Sequence, residues 1–363
     1  MNLGDGSGDQ LRVARYALMT ASVHKNTLGT YAGTWKHWVV WRSTRNEPLF
    51  LEESLSAREK QDALIDFYSH YAYTCNYAPN TLHVWMYSIR FMHLMYEHDL
   101  DFTGMIRLKV VQKGWNRIYG AAHRKIPVTT QLIQEVYDNG DLDLQQWEDL
   151  MAILAIVLAF SFLWRSCEYA CVGNHIDYEK CLRVGDSLFA VDGEDVSTPA
   201  PAPIREFACF HRTSKSDFLH QGASNNIFPC DDGTSFCPIL LLNRARAMKP
   251  EHFNSPGSFL LQCGDARPVQ KSRVEFLLKS GSERLGLPKE HITSHSLRAG
   301  GASAMWAMGK TEAEIQFRGR WKSLCYKLYI WGTREKSKDF ATNLFQTRPS
   351  LFAAVSAAAA SAA

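Results

Sequence analysis

From Leu150 to Phe160 the chain reads LMAILAIVLAF, with no charged or hydrogen-bonding side chain. The run is too short to cross a bilayer, which takes about 20 apolar residues as a helix, and charged residues stand beyond both of its ends. It therefore predicts a helix buried on all sides, in a domain large enough to surround it. It leads into Phe162-Leu163-Trp164-Arg165-Ser166-Cys167-Glu168. A guanidinium placed straight after a fully apolar helix is costly unless something pairs with it. Glu168 is the obvious partner. The pair is either structural, or a guanidinium held by a carboxylate and aimed at an anion.

A second stretch narrows that choice. Ser294-His295-Ser296-Leu297-Arg298-Ala299-Gly300-Gly301 puts a histidine and an arginine at i, i+3, on one side of a helical turn. Imidazole beside guanidinium suits a phosphate oxyanion, which arginine grips with two parallel donors. Gly319-Arg320-Trp321 follows, then Tyr326 and Tyr329, and a tyrosine there could attack phosphorus as a nucleophile. H-x-x-R alone falls by chance in many helices, so its weight comes from these surroundings. Met308-Gly309-Lys310-Thr311 looks like the end of a phosphate-binding loop, but Ala304 stands where that loop needs glycine. Gly309 is instead a helix stop, and Thr311 with Glu314 a capping box.

The 363 residues exceed one typical domain. At 46% hydrophobic and 21% charged they suffice for sizeable cores. A net charge of +3 permits a nucleic-acid partner only through local basic patches. The nine cysteines lack a disulfide framework or metal spacing, and no secretory signal or membrane span is present. They read as free thiols in a reducing compartment, and no metal ligand set is expected.

In order, residues 1–20 open Gly-rich and polar and read as a flexible segment; residues 21–122 form a helical domain. Its first helix, Ser22 to Arg42, carries Tyr31, Trp35, Trp38 and Trp41 as a core stripe. A capping box at Ser56–Glu59 opens the second, Pro79-Asn80 precedes a third over Thr81–His98, and the fourth spans Thr103–Gly120. Arg107, Lys109, Lys113 and Arg117, extended by Arg124 and Lys125, make a basic run without acids. It is either a solvated face or a stripe that contacts DNA phosphates.

Residues 123–350 form the second domain, and 351–363 an Ala-rich tail. A helix over Thr130–Asp138 precedes the apolar one. Strands are predicted at Ser187–Val191 and Glu206–Phe210, with a return from Asn226 and a short strand at Phe259–Leu261. Lys215 sits in the turn Thr213-Ser214-Lys215-Ser216-Asp217, where a lysine is ordinarily just solvated. Helices are predicted from Cys237-Pro238, over Val269–Leu285 and over Ala299–Met308.

Arg165 with Glu168, Lys215 in its turn, His295-Ser296-Leu297-Arg298, Gly319-Arg320-Trp321 and Tyr329-Ile330 occur in this order. Together they resemble the tyrosine recombinase (phage-integrase) superfamily. The H-S-L-R-A-G-G and G-R-W forms are similar to those of eukaryotic mobile-element recombinases of the crypton and DIRS-like kind. The resemblance covers residues 125 to 345; the helical first half is similar to the family's core-binding domain, without a residue-specific motif. Arg320-Trp321 departs from the common bacterial pattern, where Gly-His is usual.

The resemblance implies a mainly α fold with a small β-sheet: a helical N-terminal core-binding domain plus a mixed α/β catalytic domain, closing as a clamp on double-stranded DNA. It implies that Arg165, Arg298, His295 and Trp321 hold the scissile phosphate while Glu168 orients Arg165. Lys215 would protonate the leaving 5′ oxygen, and Tyr329 would carry a 3′-phosphotyrosine. Neither metal nor other cofactor is implied. The protein would be a homo-oligomer, dimeric on one site and tetrameric in synapsis, without a membrane partner, and intracellular, in the nucleus. Tyr329 stands eight residues after Trp321, close to the family's usual gap; Tyr326, flanked by Lys322 and Lys327, suits an exposed or interface position. Two alternatives are a type IB topoisomerase, which relaxes supercoils without synapsis, and a domesticated non-catalytic DNA-binding protein, in which losses among these residues would be expected.

Overall fold

The computed structural model describes residues 6–23, 25–120, 125–196, 203–213 and 222–331. The chain divides into two compact units, Met1–Ala122 and His123–Ala363.

The first unit is helical. Its helices are α1 (Gly6–Ala21), α2 (Lys25–Thr44), α3 (Ala57–Ser69), α4 (Pro79–Met95) and α5 (Ile106–Tyr119), with a π-helical turn at His70–Thr74. Helix α1 occupies residues 6–20 of the segment expected to be flexible, and residues 1–5 lie outside the described residues. The glycines at its head masked a run from Gln10 to Met19 rich in Leu, Arg, Ala and Met, all good helix formers. The Ser56–Glu59 capping box starts α3 with both reciprocal bonds formed. Trp38, Leu64, Phe67, Leu82, Trp85, Ile89, Leu108 and Trp115 make the core. Two tryptophans also tie helices to loops: the indole N–H of Trp38 donates to the Leu49 carbonyl (2.8 Å), that of Trp115 to Tyr77 (2.9 Å).

The second unit begins with α6 (Thr130–Asn139) and α7 (Trp147–Ser161). Strands β1 (Ala170–Cys171), β2 (Ser187–Val191), β3 (Glu194–Asp195), β4 (Glu206–His211) and β5 (Ala223–Ile227) follow. Next come α8 (Pro238–Met248), α9 (Pro250–Phe253), β6 (Val269–Gln270), α10 (Lys271–Arg284), α11 (Ser294–Ala307) and α12 (Glu312–Gly319). Strands β3-β2-β4-β5 form an antiparallel sheet in that order, and β1 pairs with β6 in parallel. Phe259–Leu261 is not a strand: Phe259 makes a single bridge to Arg183 and no ladder grows from it.

Helix α7 is the axis of this unit. Leu150 to Ala159 are all buried, packed against α8, α10 and α11. The two glycines of α11 allow the closest of these approaches. A Cβ on Gly300 would lie 2.0 Å from the Val128 carbonyl oxygen. One on Gly301 would lie 2.1 Å from the Phe160 carbonyl oxygen and 2.3 Å from Leu163 Cδ2. The Gly-Gly after Arg298 thus presses α11 against the end of α7 and brings Arg298 to the turn that carries Arg165.

Candidate active site

Helix α7 stops at Phe162, and Leu163 turns the chain through a left-handed conformation (φ 54°). Arg165 then leads into a 3-10 turn over Ser166–Glu168. The backbone N–H of Arg165 donates to Glu168 Oε2 (2.8 Å) and its Nη1 to Oε1 (3.1 Å). Glu168 is fully buried, which alone would raise its pKa; Arg320, His211, Arg165 and Arg298 outweigh that and hold it at about 2. Burial, with Glu168 adding to it, pushes the adjacent Cys167 thiol up to about 11, so it is no competing nucleophile at neutral pH.

Helix α11 starts one turn before Arg298, where Thr293 and Ser296 form a capping box. Arg298 is 1% exposed and donates to the carbonyls of Leu163 and Gly319. Its guanidinium lies 4.2 Å from the Trp321 ring centroid and 5.9 Å from that of Tyr329. Burial, then Arg165, lowers its pKa to about 9, which still leaves it cationic at neutral pH. His295 is open at the surface, but the water displaced on its inner side, then Arg298, Arg165 and Lys271, lower its pKa from the ordinary histidine range. Its imidazole is neutral at pH 7, and its ring meets Tyr329 edge-on, centroids 5.2 Å apart.

The end of α12 supplies the remaining groups. A Cβ on Gly319 would fall 1.8 Å from a Trp321 ring carbon, so glycine is what lets the indole fold back over the helix end. Trp321 is 7% exposed and lies between Arg298 and Tyr329, its ring centroid 5.0 Å from that of Tyr329. Between Gly319 and Trp321, Arg320 adopts a left-handed conformation (φ 56°, ψ 43°). Its Nη2 donates to Glu168 Oε2 (2.6 Å) and its Nη1 to the Phe162 carbonyl (3.3 Å). Glu168 therefore joins two arginines rather than the one expected. Arg320 was missed because its partner lies 152 residues away; its neighbour Gly319, placed inside the helix instead of at the left-handed cap, was the available signal.

Tyr326 and Tyr329 have separate environments. Tyr326 is fully buried, against the expectation of an exposed or interface tyrosine, and its hydroxyl donates to Glu312. Its neighbour Lys327 reaches the same carboxylate (3.4 Å), so the flanking charge marks an ion pair rather than an open face. Burial, then Glu312, raises the Tyr326 hydroxyl to about 12. Tyr329 caps the 3-10 turn Leu324–Leu328, its carbonyl bonded by the Ser303 hydroxyl (3.1 Å) and its ring against His295 and Trp321. Thus Arg165, Glu168, His295, Arg298, Trp321 and Tyr329 come together. Lys215 and Arg124 lie outside the described residues.

In the first unit, Lys109, Lys113 and Arg117 recur every fourth residue along α5, all exposed. Lys109 Nζ donates to the Thr103 carbonyl (2.8 Å), while Arg107 is ion-paired with Asp62. Lys125, in the second unit, donates to the Glu290 carbonyl (3.2 Å). Among the described residues no three His, Cys, Asp or Glu side chains are grouped to hold a metal, and no helix is long and apolar enough to cross a membrane.

Two guanidinium groups are thus bonded to one buried carboxylate and that of Arg298 stands near enough to act on its charge, leaving an excess of positive charge beside a tyrosine. Such a site accepts an anion and can stabilise charge that develops on it. No family model and no curated protein matches the sequence. Solved structures do match. XerH site-specific recombinase bound to palindromic difH substrate, a post-cleavage complex, aligns with a TM-score of 0.54 at 12% identity, over 88% of this chain and 79% of that one. The corresponding pre-cleavage complex with difH gives 0.53 at 13%, over 86% and 78%. A lambda integrase(75-356) dimer bound to a COC′ core site gives 0.50 at 14%, over 89% and 98%. The fold is mainly α with small sheets and matches that of the tyrosine recombinase catalytic domain.

Proposed function

We propose that this protein is a tyrosine site-specific recombinase, cutting and rejoining duplex DNA through a covalent phosphotyrosine. The observation that carries the reading is the buried surplus of positive charge formed by Arg165, Arg298 and Arg320 around Glu168, beside the Tyr329 ring. A phosphodiester brings the missing negative charge, and its equatorial oxygens gain more in the transition state. The neighbours in fold are solved on their own DNA sites, which supports the same ligand here.

In this mechanism Arg165 and Arg298 clamp the non-bridging oxygens and Trp321 completes the clamp. Tyr329 attacks phosphorus; the P–O5′ bond breaks and the 3′ phosphate stays on the tyrosine. Neutral His295 suits the role of hydrogen-bond partner to the phosphate or acceptor of the phenol proton. Lys215 is the general acid for the leaving 5′ oxygen. A 5′ hydroxyl then attacks the phosphotyrosine and reverses these steps on a new strand, so the bond energy is conserved. The α5 stripe contacts phosphates elsewhere on the duplex. The H-S-L-R-A-G-G and G-R-W forms favour a recombinase of a mobile element within this class.

The test is incubation with a duplex library of random sequence in excess chelator, followed by denaturation and sequencing of covalently held DNA. The reading expects adducts enriched in one site, and products joining two copies of it. Adducts of every sequence with relaxation only would indicate a topoisomerase. Adducts lost in chelator and restored by magnesium would replace this mechanism with metal-dependent cleavage.

A further inference from the structure

We infer that Arg320 is a positioning residue for the proposed strand cleavage, holding Glu168 so that Glu168 holds Arg165 toward the phosphate. The inference rests on the recombinase reading and adds a residue to it. In this account Arg320 acts through Glu168, to whose Oε2 its Nη2 donates (2.6 Å).

The geometry gives Arg320 this task. Glu168 has two oxygens, and each is engaged. Oε1 accepts from Arg165 Nη1 (3.1 Å), while Oε2 accepts from the Arg165 backbone (2.8 Å) and from Arg320 Nη2 (2.6 Å). The Arg320 contact is the shortest and comes from a different element, so it ties the carboxylate to the end of α12 as well as to its own segment. Arg320 Nη1 also reaches the Phe162 carbonyl at the end of α7, the segment from which Arg165 emerges. The adjacent Trp321 carries the Arg298 guanidinium on its face. One backbone turn thus sets both arginines of the clamp, one through Glu168 and one through the indole. The left-handed conformation at 320 is easiest for glycine, yet an arginine occupies it and its side chain ends on Glu168.

Without Arg320, Oε2 would keep the Arg165 backbone N–H and the more distant His211 Nε2 (3.9 Å), and the carboxylate would be held on the Arg165 segment alone. Its charge would also be less well supported. Around Glu168 stand Arg165 and Cys167 on its own segment, His211 and Cys209 on β4, Arg298 on α11 and Arg320 at the end of α12. Of these, Arg320 does most to hold the carboxyl ionised.

Arg320→Met, Arg320→Lys and Arg165→Ala, with the double variant Arg320→Met/Arg165→Ala, would be compared in the full chain on a DNA site recovered from the random library. Arg320→Met is expected to slow single-turnover adduct formation by about 10- to 100-fold, the usual loss when a supporting partner is removed. DNA affinity should not change. Arg320→Lys should recover part of the rate, and Arg320→Met should add little in the Arg165→Ala background. Equal proportional losses in both backgrounds, or no recovery in Arg320→Lys, would overturn the inference and leave the recombinase reading in place. Absence of any wild-type adduct would overturn the reading instead. Crystal structures of the wild type and Arg320→Met then still decide on Arg320: a displaced Arg165 head group supports it, and an unmoved one overturns it.

Discussion

Glutamine at position 168 would keep the shape of the side chain and remove its charge. Burial opposes ionisation of Glu168, but Arg320, His211, Arg165 and Arg298 together bring its pKa from 4.5 to about 2. Held there, the ionised carboxylate contributes about 3 kcal/mol at neutral pH. Glu168→Gln forgoes this and leaves Arg165 and Arg320 facing a neutral amide. Breaking a buried pair from one side costs about 3–5 kcal/mol, so a loss of that size is expected at pH 7. The folded pKa is depressed, so the contribution is complete above pH 4.5 and disappears as pH falls through about 2. Urea unfolding followed by tryptophan fluorescence should therefore show a wide gap between wild type and variant at pH 7, narrowing steadily below pH 4.5. A gap that stays constant down to pH 2.5 would refute the reasoning, because the lost interaction would then not be that of an ionised carboxylate.

Gly301→Ala should destabilise the protein by about 1–3 kcal/mol, since the added carbon meets the Phe160 backbone, which cannot swing aside, as well as the Leu163 side chain. Thermal unfolding measures this, and an unchanged midpoint would mean that α11 does not press on α7. Neutralising Lys109, Lys113 and Arg117 together should weaken DNA binding at all sequences alike and flatten its salt dependence by up to about three units of slope. An unchanged slope in a binding titration would show that this face of α5 is turned away from DNA.

Much of the fold could be read locally. The apolar run of α7 needed only its length and its flanks, and the capping boxes at Ser56–Glu59 and Thr311–Glu314 mark helix starts by reciprocal bonds within four residues. The grouping of His295 with Arg298 follows from helical spacing. Other features depend on contacts that no local pattern carries. Arg320 meets Glu168 across 152 residues, while Arg165, three residues from that carboxylate, looked like a sufficient partner. Tyr326 has lysines beside it, yet its side chain is buried and its hydroxyl is bonded to Glu312 at the surface. Phe259–Leu261 has strand-forming residues, but its backbone bonds are split between the segments at Leu182–Arg183 and Val269, and only Phe259 forms a β-bridge.

If Tyr329 is the nucleophile, as proposed, mapping of the DNA-bound peptide will find the nucleotide there. Tyr326 is a poor candidate: its hydroxyl is bonded to Glu312 and held to about 12, far from ionised at neutral pH. Tyr329 instead packs between His295 and Trp321, within reach of Arg298. Wild-type protein trapped on DNA, digested and analysed by mass spectrometry should carry its nucleotide on Tyr329. Tyr329→Phe should bind DNA and leave no adduct after denaturation, while Tyr326→Phe keeps it. A nucleotide found on Tyr326, or an adduct that survives Tyr329→Phe, would contradict the account.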